Sequence, residues 1–433
     1  MRLRGQRRGR RWAVAATGSG LLALAGILGA AVPAAAAGES VTGRLLDEGR
    51  PVAGVRIVVS TPDGTRVGAA TSGPDGVFRV AVPGPATYRV ALDVTTLPTG
   101  VRLRDPSRRV LEAVAVQEGQ QKFVVFPLGA PAAGTAVPRP SEWRRLVNLA
   151  ASGLRFGLII GLCALGLTLV YGTTGLVNFA HGELITFGAI VAWYLNTWGL
   201  PLATAAVLAA VAGALLGAGL EREVWRPLRR RRTGTVALMV VSIGIALAAR
   251  NVYLVIFGGN PRSYRQYAVQ APWELGPLQI TPKNAAAILI SLGVLTAVAW
   301  WLERSRTGTA VRAVSDDPEL AEASGIDTQR VLTVVWVLGT GLAAFGGVLL
   351  GLTQSVQWDV GLRLLLLTFA AVVVGGLGSP AGAMAGGLVI GFASELSTFW
   401  IATDFKDVVA LLALIVVLLV RPQGILGLRE RVA

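Results

Sequence analysis

The chain is poor in the residues that most chemistry needs. It has one cysteine, Cys163, and one histidine, His181, in 433 residues. A single thiol allows no internal disulfide, so any extracytoplasmic part must be stable without one. A single imidazole excludes a histidine-based metal cage, and a Ser/His triad elsewhere in the chain. Lysine occurs only at 122, 283 and 406, and none follows a glycine, so no Walker-type phosphate loop is present. Any use of ATP therefore falls to another chain, and no cofactor or metal is expected. Charged residues make up 15% and hydrophobic residues 53%, too apolar for an ordinary soluble domain of this size. The net charge is +15, but the arginines stand in short clusters between long apolar runs. There they act as topology signals, and nucleic acid is not an expected partner.

What is present divides along the chain. Arg2, Arg4, Arg7, Arg8, Arg10 and Arg11 form a basic head, Val14 to Val32 an apolar core, and Ala35-Ala36-Ala37 a small-residue stretch. Residues 1–38 read as a secretory signal peptide, with an uncleaved anchor helix as the alternative. Residues 39–128 change character. Val55-Arg56-Ile57-Val58-Val59, Val77 to Val82, Tyr88 to Val94 and Phe123 to Phe126 are β-rich, and the second alternates apolar and polar side chains. Pro62-Asp63-Gly64 and Pro74-Asp75-Gly76 read as tight turns, because proline presets φ and glycine accepts the positive φ that follows. A β-sandwich of roughly 90 residues is expected, near the size that folds alone. Residues 129–144 form a Pro/Ala/Gly-rich linker.

From 145 to 433, apolar runs predict roughly nine spans, near 157–172, 182–198, 202–220, 235–257, 284–302, 331–353, 363–377, 380–397 and 406–420. The second and eighth are short or glycine-broken, which suits re-entrant segments. The fold class is a polytopic α-helical membrane protein with an N-terminal extracytoplasmic all-β sandwich. Arg222, Arg226 and Arg229 to Arg232 mark one cytoplasmic loop, Arg304, Arg306, Arg312 and Arg330 a second, and Arg421, Arg429 and Arg431 a cytoplasmic C-terminus. Counting spans back puts the β-region outside. Arg144, Arg145 and Arg155 would then lie outside too, which a translocated domain can impose.

The stretch Tyr171-Gly172-Thr173-Thr174-Gly175-Leu176-Val177-Asn178-Phe179-Ala180-His181-Gly182-Glu183 interrupts an apolar run with glycines and ionisable groups. In lipid, irregular backbone survives only where it is packed in protein or lines a wet cavity. A second glycine-interrupted segment, Phe369 to Gly382, lies in the opposite half. Such a pair points to a transport path. Tyr171, Asn178, Phe179, His181, Glu183, Gly375, Gly376 and Ser379 are its candidate lining. Asn251, in the outer part of the fourth run, joins them, and Arg250 beside it is expected to snorkel to the surface. His181 and Glu183 do not share a helix face, which favours two separate roles. Glu395, near the end of the eighth run, either meets substrate or pairs with a neighbouring helix. The Gly382, Gly386, Gly387 and Gly391 stripe suits close helix packing.

The loop Ser305 to Arg330 holds a further helix signal. Asp317 suits an N-cap, Pro318 the first helical position and Gly325 the stop. A helix of about two turns is not stable alone and needs a surface, either a cytoplasmic partner or the chain's own spans.

Tyr171 to Glu183 closely resembles the signature of permease subunits of branched-chain amino acid ABC importers. So do Glu221-Arg222 with Arg226-Pro227-Leu228, Arg306-Thr307-Gly308-Thr309-Ala310-Val311-Arg312-Ala313, Asp317-Pro318-Glu319-Leu320-Ala321 with Gly325-Ile326-Asp327, Val374 to Ser379, and Arg421-Pro422-Gln423-Gly424. The resemblance covers residues from about 145 to 430. Arg250, ahead of Asn251, departs from it where an uncharged residue is expected. The resemblance implies a second, sister permease, two cytoplasmic ATPases and an extracytoplasmic solute-binding protein around a bilayer-embedded pore. It makes Arg312, Asp317, Pro318, Leu320, Ala321 and Gly325 the ATPase-coupling surface. The order Val41-Thr42-Gly43, Pro51 to Val55, Asp75 to Phe78 and Pro85 to Tyr88 resembles the carboxypeptidase regulatory-like (transthyretin-like) domain, which implies binding or spacing. Urea or short-chain amide transport is the alternative within transport. A membrane sensor with an extracytoplasmic ligand-binding domain is the alternative outside it.

Overall fold

Alternating side chains build the smaller of two compact units, and runs that are apolar on every side build the larger. The computed structural model describes residues 39–47, 50–116, 121–129, 141–264, 270, 272–421 and 423–426. The expected signal peptide, most of the linker, Pro422, Arg429 and Arg431 lie outside these.

The smaller unit contains strands β1 (Ser40–Arg44), β2 (Leu46–Asp47), β3 (Arg50–Pro51), β4 (Arg56–Ser60), β5 (Arg66–Thr71), β6 (Val77–Ala81), β7 (Ala86–Leu92), β8 (Val110–Val116) and β9 (Gln121–Val124). One sheet has the order β6-β1-β9, the other β5-β4-β7-β8. β1 pairs antiparallel with β6, setting Val41 opposite Val80, and parallel with β9. Val41, Phe78 and Val80 of the first sheet share a buried core with Ile57, Val59, Tyr88 and Val90 of the second. A Cβ on Gly43 would collide with the Phe78 ring, so the glycine lets that ring lie flat on β1. Gly64 and Gly76 take φ of +89° and +74° at the two expected turns. The sequence pattern does not predict β1, the short pair β2 and β3, β5 or β8. Glycine in β1 and β5 and alanine in β5 and β8 weaken the β signal, and pairing with neighbours supplies the rest. Asp93 and Asp105 cap 3-10 turns, where hydrogen bonds from Thr95 and Ser107 hold their carboxyls below the usual range.

The larger unit contains α1 (Glu142–Thr174), α2 (His181–Thr197), α3 (Leu202–Arg230), α4 (Thr235–Phe257), a hairpin of β10 (Trp273–Leu275) and β11 (Leu278–Ile280), α5 (Pro282–Arg304), α6 (Arg306–Asp316), α7 (Pro318–Ala323), α8 (Thr328–Thr353), α9 (Val360–Gly375), α10 (Pro380–Ser397) and α11 (Lys406–Val420). Five of these, α1, α3, α4, α5 and α8, are long and apolar enough to cross a membrane. Helix α1 starts well before the expected span. Ser141 caps it, and its 33 residues reach roughly 50 Å, against a bilayer core of about 30 Å. It stops where Gly175 takes φ +65°.

Small residues decide which helices touch. A Cβ on Gly157 would strike the backbone of α10 at Gly387 and Leu388. One on Gly166 would strike Gly339 of α8, and one on Gly188 of α2 would strike Ala344. The Gly382, Gly386, Gly387 and Gly391 stripe meets Gly375, Ala371, Gly161 and Gly157 in the same way, which is the packing role expected of it. Helix α3 turns through a π segment at Glu221–Trp225. There Arg229 grips the buried Glu221 carboxylate with both terminal nitrogens, and Trp225 stacks on Trp336, ring centroids 5.6 Å apart.

Candidate functional site

The interruption after α1 does not make a surface loop. Residues after Gly175 run back along α1, and α2 begins at His181 beside the middle of that helix. The His181 Nε2 lies 3.0 Å from the Cys163 carbonyl oxygen. Cys163 precedes the end of α1 by 11 residues, roughly 16 Å of helix. A carbonyl only accepts, so Nε2 carries the proton, while the buried Nδ1 has no hydrogen-bond partner among the described residues. The α2 N-terminus therefore lies deep inside the bundle, with its positive dipole end there.

The local sequence builds this start. Asn178, 1% exposed, accepts the Ala180 N–H on Oδ1 at 3.0 Å and turns the chain into the helix. The Phe179 N–H donates to Ser242 Oγ of α4 at 3.1 Å, and its ring lies 5.4 Å from that of Phe369 on α9. Glu183, 3% exposed, accepts from Arg250 Nε of α4 at 3.2 Å, and its main-chain oxygen accepts from the Tyr253 hydroxyl. Among the described residues, the second carboxylate oxygen of Glu183 and Oδ1 of nearby Asp359 are buried without partners. His181 and Glu183 thus bind different neighbours, as their spacing implies.

Two expectations about α4 are corrected. Arg250 does not snorkel to the surface; its side chain is 20% exposed and turns inward to Glu183, because a buried carboxylate attracts it more than the helix end does. Asn251 does not join the polar cluster. It is exposed and donates to its own helix at Leu247. Sequence reasoning missed Arg250, Ser242 and Tyr253 as neighbours of the break. An arginine within an apolar run was the available signal.

The second interruption closes a turn. A Cβ on Gly375 would strike Gly382, and Ser379 Oγ caps α10 by accepting from the Gly382 N–H at 3.0 Å. Gly376 takes φ +111°, and the chain near Gly424 packs against it, with the Leu426 N–H donating to Gly375. Tyr171 is half-buried in the last turn of α1 and its carbonyl accepts the Gly175 N–H. Glu395 pairs with Lys406 of α11 at 2.9 Å. Among the described residues no group of three or more His, Cys, Asp or Glu gathers to hold a metal ion.

The loop between α5 and α8 holds two helices where sequence predicts one. Ser305 caps α6, whose Arg312 folds back onto the Leu302 carbonyl at the end of α5. Asp317 caps α7 by accepting from the N–H groups of Glu319 and Leu320, Pro318 takes the first position, and Gly325 ends it at φ +86°. Ala321 is buried, whereas Leu320 is 65% exposed. Ser315 Oγ of α6 donates to the Gly172 carbonyl at 2.9 Å, which ties this loop to the end of α1 just before the break.

A bundle of long apolar helices with a helix start buried at its centre is that of a multi-pass membrane permease. The family model described as branched-chain amino acid transport system / permease component matches residues 149–418. The chain belongs to that family. It is 34% identical to the high-affinity branched-chain amino acid transport system permease protein LivH of Escherichia coli, over 64% of this chain and 94% of that protein. It is 32% identical to the corresponding protein BraD of Pseudomonas aeruginosa, over 66% and 96%. A probable permease LivH of Methanocaldococcus jannaschii is 31% identical over 62% and 89%.

Proposed function

We propose that this chain is the membrane-spanning subunit of an ATP-driven importer that carries branched-chain amino acids or related small solutes into the cell. The helix start at His181 carries the reading. A mid-depth helix terminus flanked by Asn178, His181 and Glu183 gives a solute polar groups where lipid gives none. Helices α1, α2, α3, α4, α5, α8, α9, α10 and α11 make up nine crossing or re-entrant segments. The arginines at 222–232 and 304–330 mark cytoplasmic loops, which sets the β-unit outside and the C-terminus inside. The β-unit is a sandwich of carboxypeptidase regulatory-like type, serving binding or spacing.

ATP hydrolysis falls to two separate cytoplasmic subunits. A sister permease completes the pore, and a solute-binding protein delivers substrate from outside. Exposed Leu320 on α7 seats in an ATPase groove, and Ala321 fixes the helix to the bundle. Movement of α7 carries α6, and Ser315 transmits it to Gly172 and the break beyond. The test is uptake by vesicles holding the permease pair, the ATPases and the binding protein. ATP-dependent accumulation of L-leucine over urea and formamide is expected; accumulation of urea or formamide alone, or none with ATP, would overturn the assignment.

A further inference from the structure

We propose that the basic cleft where α3 leaves the membrane binds the headgroup of an anionic phospholipid, with Arg222, Arg226, Arg230 and Arg231 holding the phosphate and the apolar face of α3 carrying the acyl chains. The site depends on the chain lying in a bilayer and not on which solute it carries.

The last turns of α3 build the cleft. Arg222, Arg226 and Arg230 recur every fourth residue, so they fall on one side of the helix. The helix stops at Arg230, and Arg232 turns the chain at φ +53°, which adds Arg231 to the same lining. With Glu223 and Pro227 the four arginines border a cleft of about 440 Å³. Arg229, between them in sequence, is committed to the buried Glu221 and adds no charge to the cleft. Glu223 lies 3.7 Å from Arg222, but both side chains are exposed, so the pair holds weakly. Four arginines and one glutamate leave the lining with a net charge of three positive. The Nε of Arg226 is buried with no partner among the described residues. A planar guanidinium fork matches the oxygens of a phosphate.

Depth and continuity select a lipid. The apolar part of α3, Leu202–Leu220, has 19 residues and is roughly 28 Å long, against a hydrocarbon core of about 30 Å. Arg222 follows at once, so the cleft falls at the level of the lipid phosphates. Leu208, Val211 and Leu215 stand exposed along α3 at three- and four-residue spacing, and that line continues through Gly219 to Arg222. A Cβ on Gly219 would meet nothing, so the line stays open between the apolar residues and the arginines. An acyl chain laid on Val211 and Leu215 brings its phosphate to the cleft. A free anion would leave the apolar line bare. A zwitterionic headgroup brings its own cation and leaves the net charge unanswered. Basic clusters at a membrane surface attract anionic lipid.

The test is native mass spectrometry of the intact purified permease released from bilayers of equal phosphatidylglycerol and phosphatidylcholine. The parent should retain phosphatidylglycerol over phosphatidylcholine by roughly tenfold, and Arg226→Gln/Arg230→Gln should cut that preference to about twofold or less. Arg226→Lys/Arg230→Lys should keep most of it, which shows that charge and not misfolding is the cause. Arg304→Gln/Arg306→Gln, at another basic loop, should leave it unchanged. Inorganic phosphate added at constant ionic strength should not displace the lipid. No preference in the parent would overturn the site, and an equal loss from Arg304→Gln/Arg306→Gln would reduce it to diffuse attraction. Displacement by inorganic phosphate would make the cleft a site for a free anion, and displacement on assembly with the ATPase subunits would give it to a protein; either result overturns the lipid.

Discussion

Helices α1 and α5 are both apolar enough to cross a membrane, but α1 is 89% buried over its most apolar window and α5 only 22%. Composition is nearly the same; the neighbours differ. Around α1 the glycines meet backbone, as Gly157 meets Leu388 and Gly166 meets Gly339. On α5, Gly293 meets nothing, and Leu289, Ile290 and Leu292 stand exposed. The apolar faces of α4 and α11 are bare in the same way, at Val236, Val255 and Leu419. In a bilayer the hydrophobic effect does not drive helices together, so close approach and polar contacts decide what forms the centre. The polar break sits among the close-packed helices. The outer ones carry faces suited to lipid.

The comparison breaks most easily at the glycines. Gly188→Val drives a side chain into the Ala344 backbone, and a loss of about 3 kcal/mol or more is expected as lowered membrane yield and melting temperature. Gly293→Val on α5 should change stability by less than about 0.5 kcal/mol. Equal damage from both would mean that α5 is packed as tightly as α1.

Charge sharpens the same contrast. Arg250→Leu leaves Glu183 buried and unpaired, with an expected cost of about 3 kcal/mol in denaturation. The double variant Arg250→Leu/Glu183→Leu should recover most of it, since two apolar side chains need no partner. Arg89→Leu breaks the exposed pair with Glu112 in the β-unit and should cost under about 1 kcal/mol.

How much of this was legible depended on the kind of contact. Local signals worked: Asp317, Pro318 and Gly325 set the bounds of α7, and the apolar runs fall on helices to within a few residues apart from the early start of α1 and the late end of α3. Asn178 and His181 announced a break because polar residues are costly in lipid. Pairings across sequence were not legible. Nothing in the α4 run says that Arg250 turns toward a carboxylate 67 residues earlier, because a helix apolar on every side carries no facing signal. Helix α6 was hidden by its arginines and threonines. The extra length of α1 was hidden by Trp143, Arg144 and Arg145, which suit a helix but not a span.

A smaller effect on stability, with a large effect on function, is expected at α7. Leu320→Asp should leave melting unchanged, because the side chain is already in solvent, yet reduce co-purification of the ATPases at least about tenfold. Ser315→Ala removes one hydrogen bond to Gly172, about 1 kcal/mol, and should lower ATP-coupled uptake while sparing ATPase association. Loss of association in Ser315→Ala would place the partner surface on α6 rather than on α7.

The central claim is that the break between α1 and α2 opens onto the path. Phe179→Cys in a Cys163→Ala background tests it directly, since Cys163 is the only native thiol. In vesicles with the ATPases and binding protein, a small membrane-impermeant thiol reagent should label position 179 during ATP turnover, and L-leucine should slow the reaction. A residue that stays unlabelled in every nucleotide state, while uptake proceeds, would contradict the account.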